Sequence, residues 1–294
     1  MTENDALAAA YDAERPRLVR VAYAILGSHA EAEDVVAECW LRLVGADARD
    51  PVRDVGAWAT VTVARAALDT LRSARVRRES YVGPWLPEPL VEAAPDAADR
   101  VSLDDSVRYA LLVALERLSP AERTAWVLHD IFEVPFSEVA DAVGRTPEAV
   151  RQLARRARLH VAAGTPRVSV DAGTHDRVVT AFLGAAAGGD LASLVRLLDP
   201  SVVLTSDGGG VVSAARRPVV GPDRVGRFVA GVARMGGSAE LVQVNGRTGV
   251  ALSVSDRLHS VVSFTVDGGR ITRIDIVLAP DKLAAVARAL RSTS

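Results

Sequence analysis

A chain of 294 residues is long enough for two or three domains. With 49% hydrophobic and 24% charged residues it is neither a disordered nor a fibrous sequence. The net charge of −2 excludes a polycation, so nucleic-acid contact has to rest on local patches. The single Cys39 excludes an internal disulfide and any cysteine-rich zinc site.

No apolar run reaches the roughly 18 residues that a bilayer span needs. The segment Met1 to Ala10 is acidic and lacks the basic start of a signal peptide. These features, with the lone thiol, lead to the expectation of a soluble, cytoplasmic protein without membrane contact. The basic residues are arginine throughout except for Lys282.

In chain order, residues 5–78 read as helices. Val35, Cys39 and Leu43, with Val36, Trp40 and Val44, recur at four-residue spacing and form one apolar stripe. Asp34, Glu38 and Arg42 make a polar ridge on another side of that helix. A loop over 45–56 precedes a second helix from about Ala57 past Leu71, with Val61, Ala64, Leu68 and Leu71 as its core face. Residues 79–101 carry Pro84, Pro87, Pro89 and Pro95 and read as a linker, although Trp85 and Leu86 are unusual in a solvated tether. Residues 102–164 are helical again. Ser119-Pro120 with Glu122 is a capping box with proline in the first turn. Phe136 to Val143 is a short helix, Gly144-Arg145 a turn, and Thr146-Pro147 the start of the next helix. Residues 165–294 change to an α+β pattern. A helix over His175 to Ala187 precedes valine-rich strands with hairpin turns at Asn245-Gly246 and Asp267-Gly268. A strand over Arg270 to Leu278 and a helix over Pro280 to Arg291 close the chain.

Three constellations stand out. Phe136 to Val161 has the helix-turn-helix form. Val150, Leu153, Ala157 and Val161 share its buried side, and Glu148, Arg151, Gln152 and Arg155 the opposite one, suited to base edges and phosphates. Arg145, Arg151, Arg155, Arg156 and Arg158 against Glu148 give a local charge of 5 − 1 = +4. The plain alternative is a helical hairpin with a solvated basic face. On the earlier helix, Trp58, Thr62, Arg65, Asp69 and Arg72 share one stripe, and Arg72, Arg75, Arg77 and Arg78 add four positive charges. An aromatic beside arginines can stack on an unpaired base; Trp58 as a simple packing residue is the alternative. Glu31, Glu33, Asp34 and Glu38 form an acidic ridge that would repel DNA and suit a basic protein surface, or that is merely a solvated face.

Residues 30–43, from Ala30-Glu-Ala-Glu-Asp through Trp40-Leu-Arg-Leu43, and Trp58 through Arg78 resemble sigma region 2. Leu115 through Arg123 and Phe136 through Arg158 resemble region 4. Together, in order and spacing, they are similar to the extracytoplasmic-function group of the sigma-70 superfamily. The resemblance implies a sigma factor that binds the clamp helices of RNA polymerase core through Asp34, Val35, Glu38, Trp40, Leu41 and Arg42. It implies that the Trp58–Arg78 helix and the loop before it act on the downstream promoter element. The helix carrying Arg145, Thr146, Glu148, Arg151, Gln152, Arg155, Arg156 and Arg158 would then read the upstream one.

The remainder resembles a subgroup with a C-terminal SnoaL-like (nuclear-transport-factor-2-like) domain, a cone-shaped α+β fold. The marks are Trp85-Leu86-Pro87-Glu88-Pro89 in the linker, Asp207-Gly208-Gly209-Gly210 and Arg216-Arg-Pro-Val-Val-Gly221; Val211 departs from the lysine that usually follows the glycines. This implies a multidomain chain divided as 1–78, 79–101, 102–164 and 165–294. The linker and Asp207–Gly210 contacts would regulate activity in cis, with the segment Asp281-Lys282-Leu283 also involved.

SnoaL-like folds include enzymes, and Asp207, Asp256, His259 and Asp275 are the candidate acids and bases. No spacing among them is diagnostic, and fold analogy does not establish chemistry. No enzyme, cofactor or metal is expected, while a concave apolar pocket could take a small ligand. Two rival readings stay open: a helix-turn-helix regulator that senses a ligand without polymerase, and an enzyme with a DNA-binding appendage.

Overall fold

The computed structural model describes residues 3–79, 83–93, 108–164 and 170–292. The chain divides into two compact units, one of residues 1–79 with 111–164 and one of residues 80–110 with 165–294. The expected linker therefore clusters with the C-terminal domain, and the two helical modules form one unit.

In the helical unit, α1 (Glu3–Leu26), α2 (His29–Asp47) and α3 (Val55–Glu79) pack together. Ser28 caps α2 by accepting from the Glu31 amide, which satisfies one of the orphan donors of a helix start. Val36, Cys39 and Leu43 of α2 are buried, as are Leu18 and Ile25 of α1 and Val63 and Leu68 of α3. Helix α2 runs through Gly45 to Asp47, so the loop begins later than the glycine suggests. Asp54 starts α3 by accepting from the Ala57 amide at 2.8 Å. The second module comprises α4 (Tyr109–Leu115), α5 (Pro120–Trp126), α6 (Phe136–Val143) and α7 (Pro147–Gly164). The Ser119–Glu122 capping box is present, and α5 continues into a π-helical turn over Val127–Ile131. Gly144 ends α6 in the left-handed region at φ 69°, where a side chain would be strained.

The second unit is α+β, as expected. Helices α8 (Ala172–Ala187), α9 (Leu191–Leu197), α10 (Pro222–Ala233) and α11 (Pro280–Ser292) accompany a seven-stranded sheet. Its strands are β1 (Val91–Ala93), β2 (Leu198–Asp207), β3 (Val219–Val220), β4 (Ser238–Val244), β5 (Arg247–Val254), β6 (Arg257–Asp267) and β7 (Arg270–Val277). The order is β1-β4-β5-β6-β7-β2-β3, and only β2–β7 is a parallel pair among the described strands. Val179, Phe182, Leu194, Val225, Phe264 and Ile274 belong to the apolar cluster between helices and sheet. Asn245-Gly246 turns β4 into β5 with both residues at positive φ, as a tight primed hairpin turn requires. The next two hairpins differ from the sequence pattern. The β6–β7 turn centres on Gly268-Gly269, one residue later than expected, and the β5–β6 turn uses Ser255-Asp256, both at positive φ without glycine.

The edge strand β1 comes from the proline-rich stretch. Val91 to Ala93 pair antiparallel with Val244 to Val242. The Asn245 amide donates to the Leu90 carbonyl at 2.8 Å, and the Leu90 amide to Asn245 Oδ1 at 3.1 Å. No proline falls between Leu90 and Ala93, which leaves donors free for a ladder that proline would interrupt.

Candidate functional site

On α2, Asp34, Glu38, Leu41 and Arg42 are exposed on one side, with Leu41 at 70% the conspicuous apolar member. Arg42 pairs with Glu38 at 2.7 Å. Glu33 is held by Arg15, and Glu31 belongs to the capped first turn. Two members of the sequence-derived set do not present themselves. Val35 is buried in the bundle, and Trp40 is half-buried with its ring 5.4 Å from that of Tyr11. They are packing residues that set the helix against α1.

On α3, Trp58 is half-buried and borders an open hollow of about 510 Å³ lined also by Arg49, Pro51, Arg53 and Asp54 from the preceding loop. Thr62 is partly buried, and Arg65, Asp69 and Arg72 are exposed, with Arg72 on Asp69 at 3.1 Å. Arg75 and Arg77 continue α3, but their side chains lie outside the described residues, as does that of Arg78.

On the helix-turn-helix, Val150, Ala154, Ala157 and Val161 are buried and Leu153 half-buried, so Ala154 joins the inward face. Arg145, Thr146, Glu148, Arg151, Gln152, Arg155, Arg156 and Arg158 are all exposed. Their electrostatic states differ. Arg156 pairs with Glu122 at 3.1 Å, Arg158 with Asp130, and Arg151 with Glu148 at 3.2 Å while lying over the Phe136 ring. Among the described residues Arg145 and Arg155 have no carboxylate partner. Burial pushes the Glu122 carboxyl up, but hydrogen bonds from Ser119 and the Arg156 charge outweigh it and hold the group below its ordinary range.

The two helical modules touch within their unit. Arg65 donates to the Asp141 carbonyl of α6 at 2.6 Å. Arg123 of α5, 1% exposed, donates to the Ala24 carbonyl in the last turn of α1 at 3.0 Å and pairs with Glu116 at 2.5 Å. A guanidinium on the last carbonyls of a helix satisfies an orphan acceptor at the negative end of its dipole. The role of Arg123 was not visible in sequence, where it merely follows the Ser119–Glu122 capping box.

In the second unit the marks of the linker and glycine run converge. Asp207, fully buried, accepts from the Leu86 amide at 2.8 Å and from Lys282 Nζ at 2.6 Å, while its other oxygen accepts from the Gly209 amide at 2.9 Å. Lys282 also donates to the Leu86 carbonyl, and its ammonium lies 3.1 Å from the centroid of the Trp85 ring. Leu86, Pro87, Glu88 and Pro89 are buried, and the Tyr109 hydroxyl donates to the Pro87 carbonyl at 2.8 Å. The glycines allow this approach. A Cβ on Gly208 would stand 2.1 Å from the Val212 carbonyl oxygen, and Gly209 at φ 70° lies against Ala279 at the start of α11; Gly210 has the same φ. Val211 is 81% exposed, and the ammonium at this cluster comes from Lys282 instead. A compact point charge suits a carboxylate, a carbonyl and a ring face together, where a planar guanidinium would not.

The candidate acids and bases sit in different settings. Asp207 is held by Lys282, Asp256 sits in the exposed β5–β6 turn, and His259 is half-buried on β6. Asp275 is buried and gripped by Arg273 at 2.7 Å; burial raises its carboxyl despite that charge. A cavity of about 70 Å³ beside His175, Arg247 and Phe264 is small against ligand pockets of roughly 300–1,000 Å³. No metal-ligating group of three or more residues occurs among the described residues, and no described helix is long and apolar enough to cross a membrane.

Comparison with known proteins agrees with this geometry. The Sigma-70 region 2 model matches residues 10–77 and the Sigma-70 region 4 model residues 108–161. The chain is 42% identical over 287 residues to the ECF RNA polymerase sigma factor SigJ of Mycobacterium tuberculosis (strain ATCC 25618 / H37Rv), covering 92% of this chain and 91% of the relative. It is 37% identical to the probable ECF RNA polymerase sigma factor SigI of the same strain, covering 96% and 97%. The crystal structure of the Mycobacterium tuberculosis extracytoplasmic function sigma factor SigJ superposes with a TM-score of 0.77 at 36% identity, over 94% of this chain and 98% of that one. The likeness therefore extends through the C-terminal α+β domain, and the chain belongs to the extracytoplasmic-function RNA polymerase sigma factors.

Proposed function

We propose that this sigma factor binds RNA polymerase core through the α2 ridge, directs initiation at a two-element promoter, and is restrained in cis by its C-terminal domain. The observation that carries the reading is the exposed Asp34–Glu38–Leu41–Arg42 ridge of α2. An acidic face with one exposed leucine suits a basic protein surface such as the clamp helices and repels DNA. The hollow between Trp58 and Arg53 fits an unpaired base of the downstream element, stacked and held by cations. Arg155, exposed and free of acids among the described residues, is the leading base-edge contact of α7.

Restraint in cis rests on two observations. Arg65, a member of the downstream-element stripe, is engaged by α6, so the helical modules are closed on one another. The strap that joins them covalently is a strand of the C-terminal sheet and is locked by the Asp207–Lys282 pair. The test is capture of core polymerase by the full chain. Asp34→Arg with Glu38→Arg is expected to abolish capture without changing the unfolding midpoint. Unchanged capture by that variant, or no capture by the wild type, refutes the reading.

A further inference from the structure

The C-terminal domain carries a basic surface that the sigma modules do not account for. Residues 170–292 hold 14 basic and 11 acidic side chains, so this domain is +3 in a chain of net charge −2. Five exposed arginines fall between 216 and 234: Arg216 and Arg217 before β3, and Arg224, Arg227 and Arg234 on α10 or at its C-cap. The amphipathic helix buries Val225 and turns Phe228 and Val229 toward the apolar cluster. Arg224, Arg227 and Arg234, at i, i+3 and i+10, line the opposite side over about 15 Å of helix axis.

None of the five has a carboxylate partner among the described residues. The acids of this layer are engaged locally. Asp171 and Asp190 cap α8 and α9, and Asp199 accepts from Ser201. Asp223, the one acid of α10, offers Arg227 its backbone carbonyl and not its carboxylate. The paired arginines of α7 differ in this respect.

We infer that the arginine stripe of α10 binds the sugar–phosphate backbone of duplex DNA, giving the C-terminal domain a direct, sequence-independent contact with the template. The inference rests on the sigma-factor reading, which supplies DNA as the polyanion. A stripe of unneutralised arginines without aromatic anchors matches protein–DNA surfaces, which are strongly positive, better than protein interface cores, where charge is depleted. Fifteen ångströms of axis spans about four phosphates of one strand at 3.4 Å each.

The test uses the full chain and a 30-base-pair duplex of arbitrary sequence, with affinity read by fluorescence anisotropy between 50 and 200 mM salt. For R224A/R227A/R234A the slope of log K against log salt should become shallower by about 2–3, since each lost phosphate contact removes about 0.9. The unfolding midpoint should stay unchanged, and R224K/R227K/R234K should restore the slope. An unchanged slope in the alanine triple overturns the inference, and so does loss of core capture with an unchanged slope, which would assign the stripe to protein. R155A is measured in parallel. If it weakens binding while the α10 triple does not, only this inference fails; if it too is without effect, the sigma-factor reading of α7 fails with it.

Discussion

The helical modules and the linker strap are held by opposite kinds of contact. Between the modules, Arg65 makes one hydrogen bond to a backbone carbonyl from an exposed position, and Arg123 caps α1 from within. The strap is held by a buried carboxylate, a buried ammonium, an aromatic ring and a strand ladder at once. Backbone carbonyls accept from any donor and are readily replaced by water. A buried ion pair cannot be half-broken without leaving an uncompensated charge. The Arg65 contact is thus more easily broken than the Asp207–Lys282 pair.

The largest expected effect comes from the strap. Lys282→Ala leaves the Asp207 carboxylate buried without its counter-ion and should destabilise the C-terminal unit by about 3–5 kcal/mol in denaturant unfolding. Lys282→Arg should recover only part of that, because the fork does not fit a site built for a point charge. A loss below about 1 kcal/mol for the alanine variant would erase the contrast between the two regions. Next, Arg123→Ala should cost about 1.5–3 kcal/mol in the helical unit, as hydrogen bonds to charged groups do, and should lengthen the distance between dyes on α2 and α7. Arg155→Ala should weaken binding to the upstream element by about 1–3 kcal/mol while moving stability by no more than about 0.5 kcal/mol. A stability loss there would mean that α7 packs through Arg155.

The smallest effect separates the units by pH. His175 is buried, and burial lowers its imidazole below the ordinary value although the Phe264 carbonyl accepts from its ring. Its native state binds fewer protons than the unfolded chain, so the C-terminal unit should lose stability as pH falls through the unfolded value near ~6.5. In His175→Gln that slope should flatten, with the helical unit unaffected; an identical slope in wild type and variant would remove the assignment.

Much of this was legible from local chemistry. The capping box at Ser119, the Gly144 turn and the Asn245-Gly246 hairpin each follow from residues that tolerate few other conformations. The strap residues were marked by a buried-looking Trp85 and Leu86 among prolines, yet their pairing with β4 was not, because strand pairing depends on a partner about 150 residues away. Helices α9 and α10 escaped for a related reason: each is short, and valine-rich surroundings read as strand. Val35 and Trp40 were grouped with the α2 surface although their four-residue spacing also fits the core, and only packing against Tyr11 and the bundle decides between the faces. Arg123 was hidden because a charged residue of a short helix normally faces solvent.

The central claim is that free chain holds its two helical modules closed and that polymerase core opens them. The most direct measurement is the energy transfer between dyes on α2 and α7 of the full chain, titrated with core polymerase. The account predicts saturable binding with a longer dye separation, and a partly lengthened separation in Arg123→Ala before core is added. Saturable binding at an unchanged separation, or no binding at all, would contradict it.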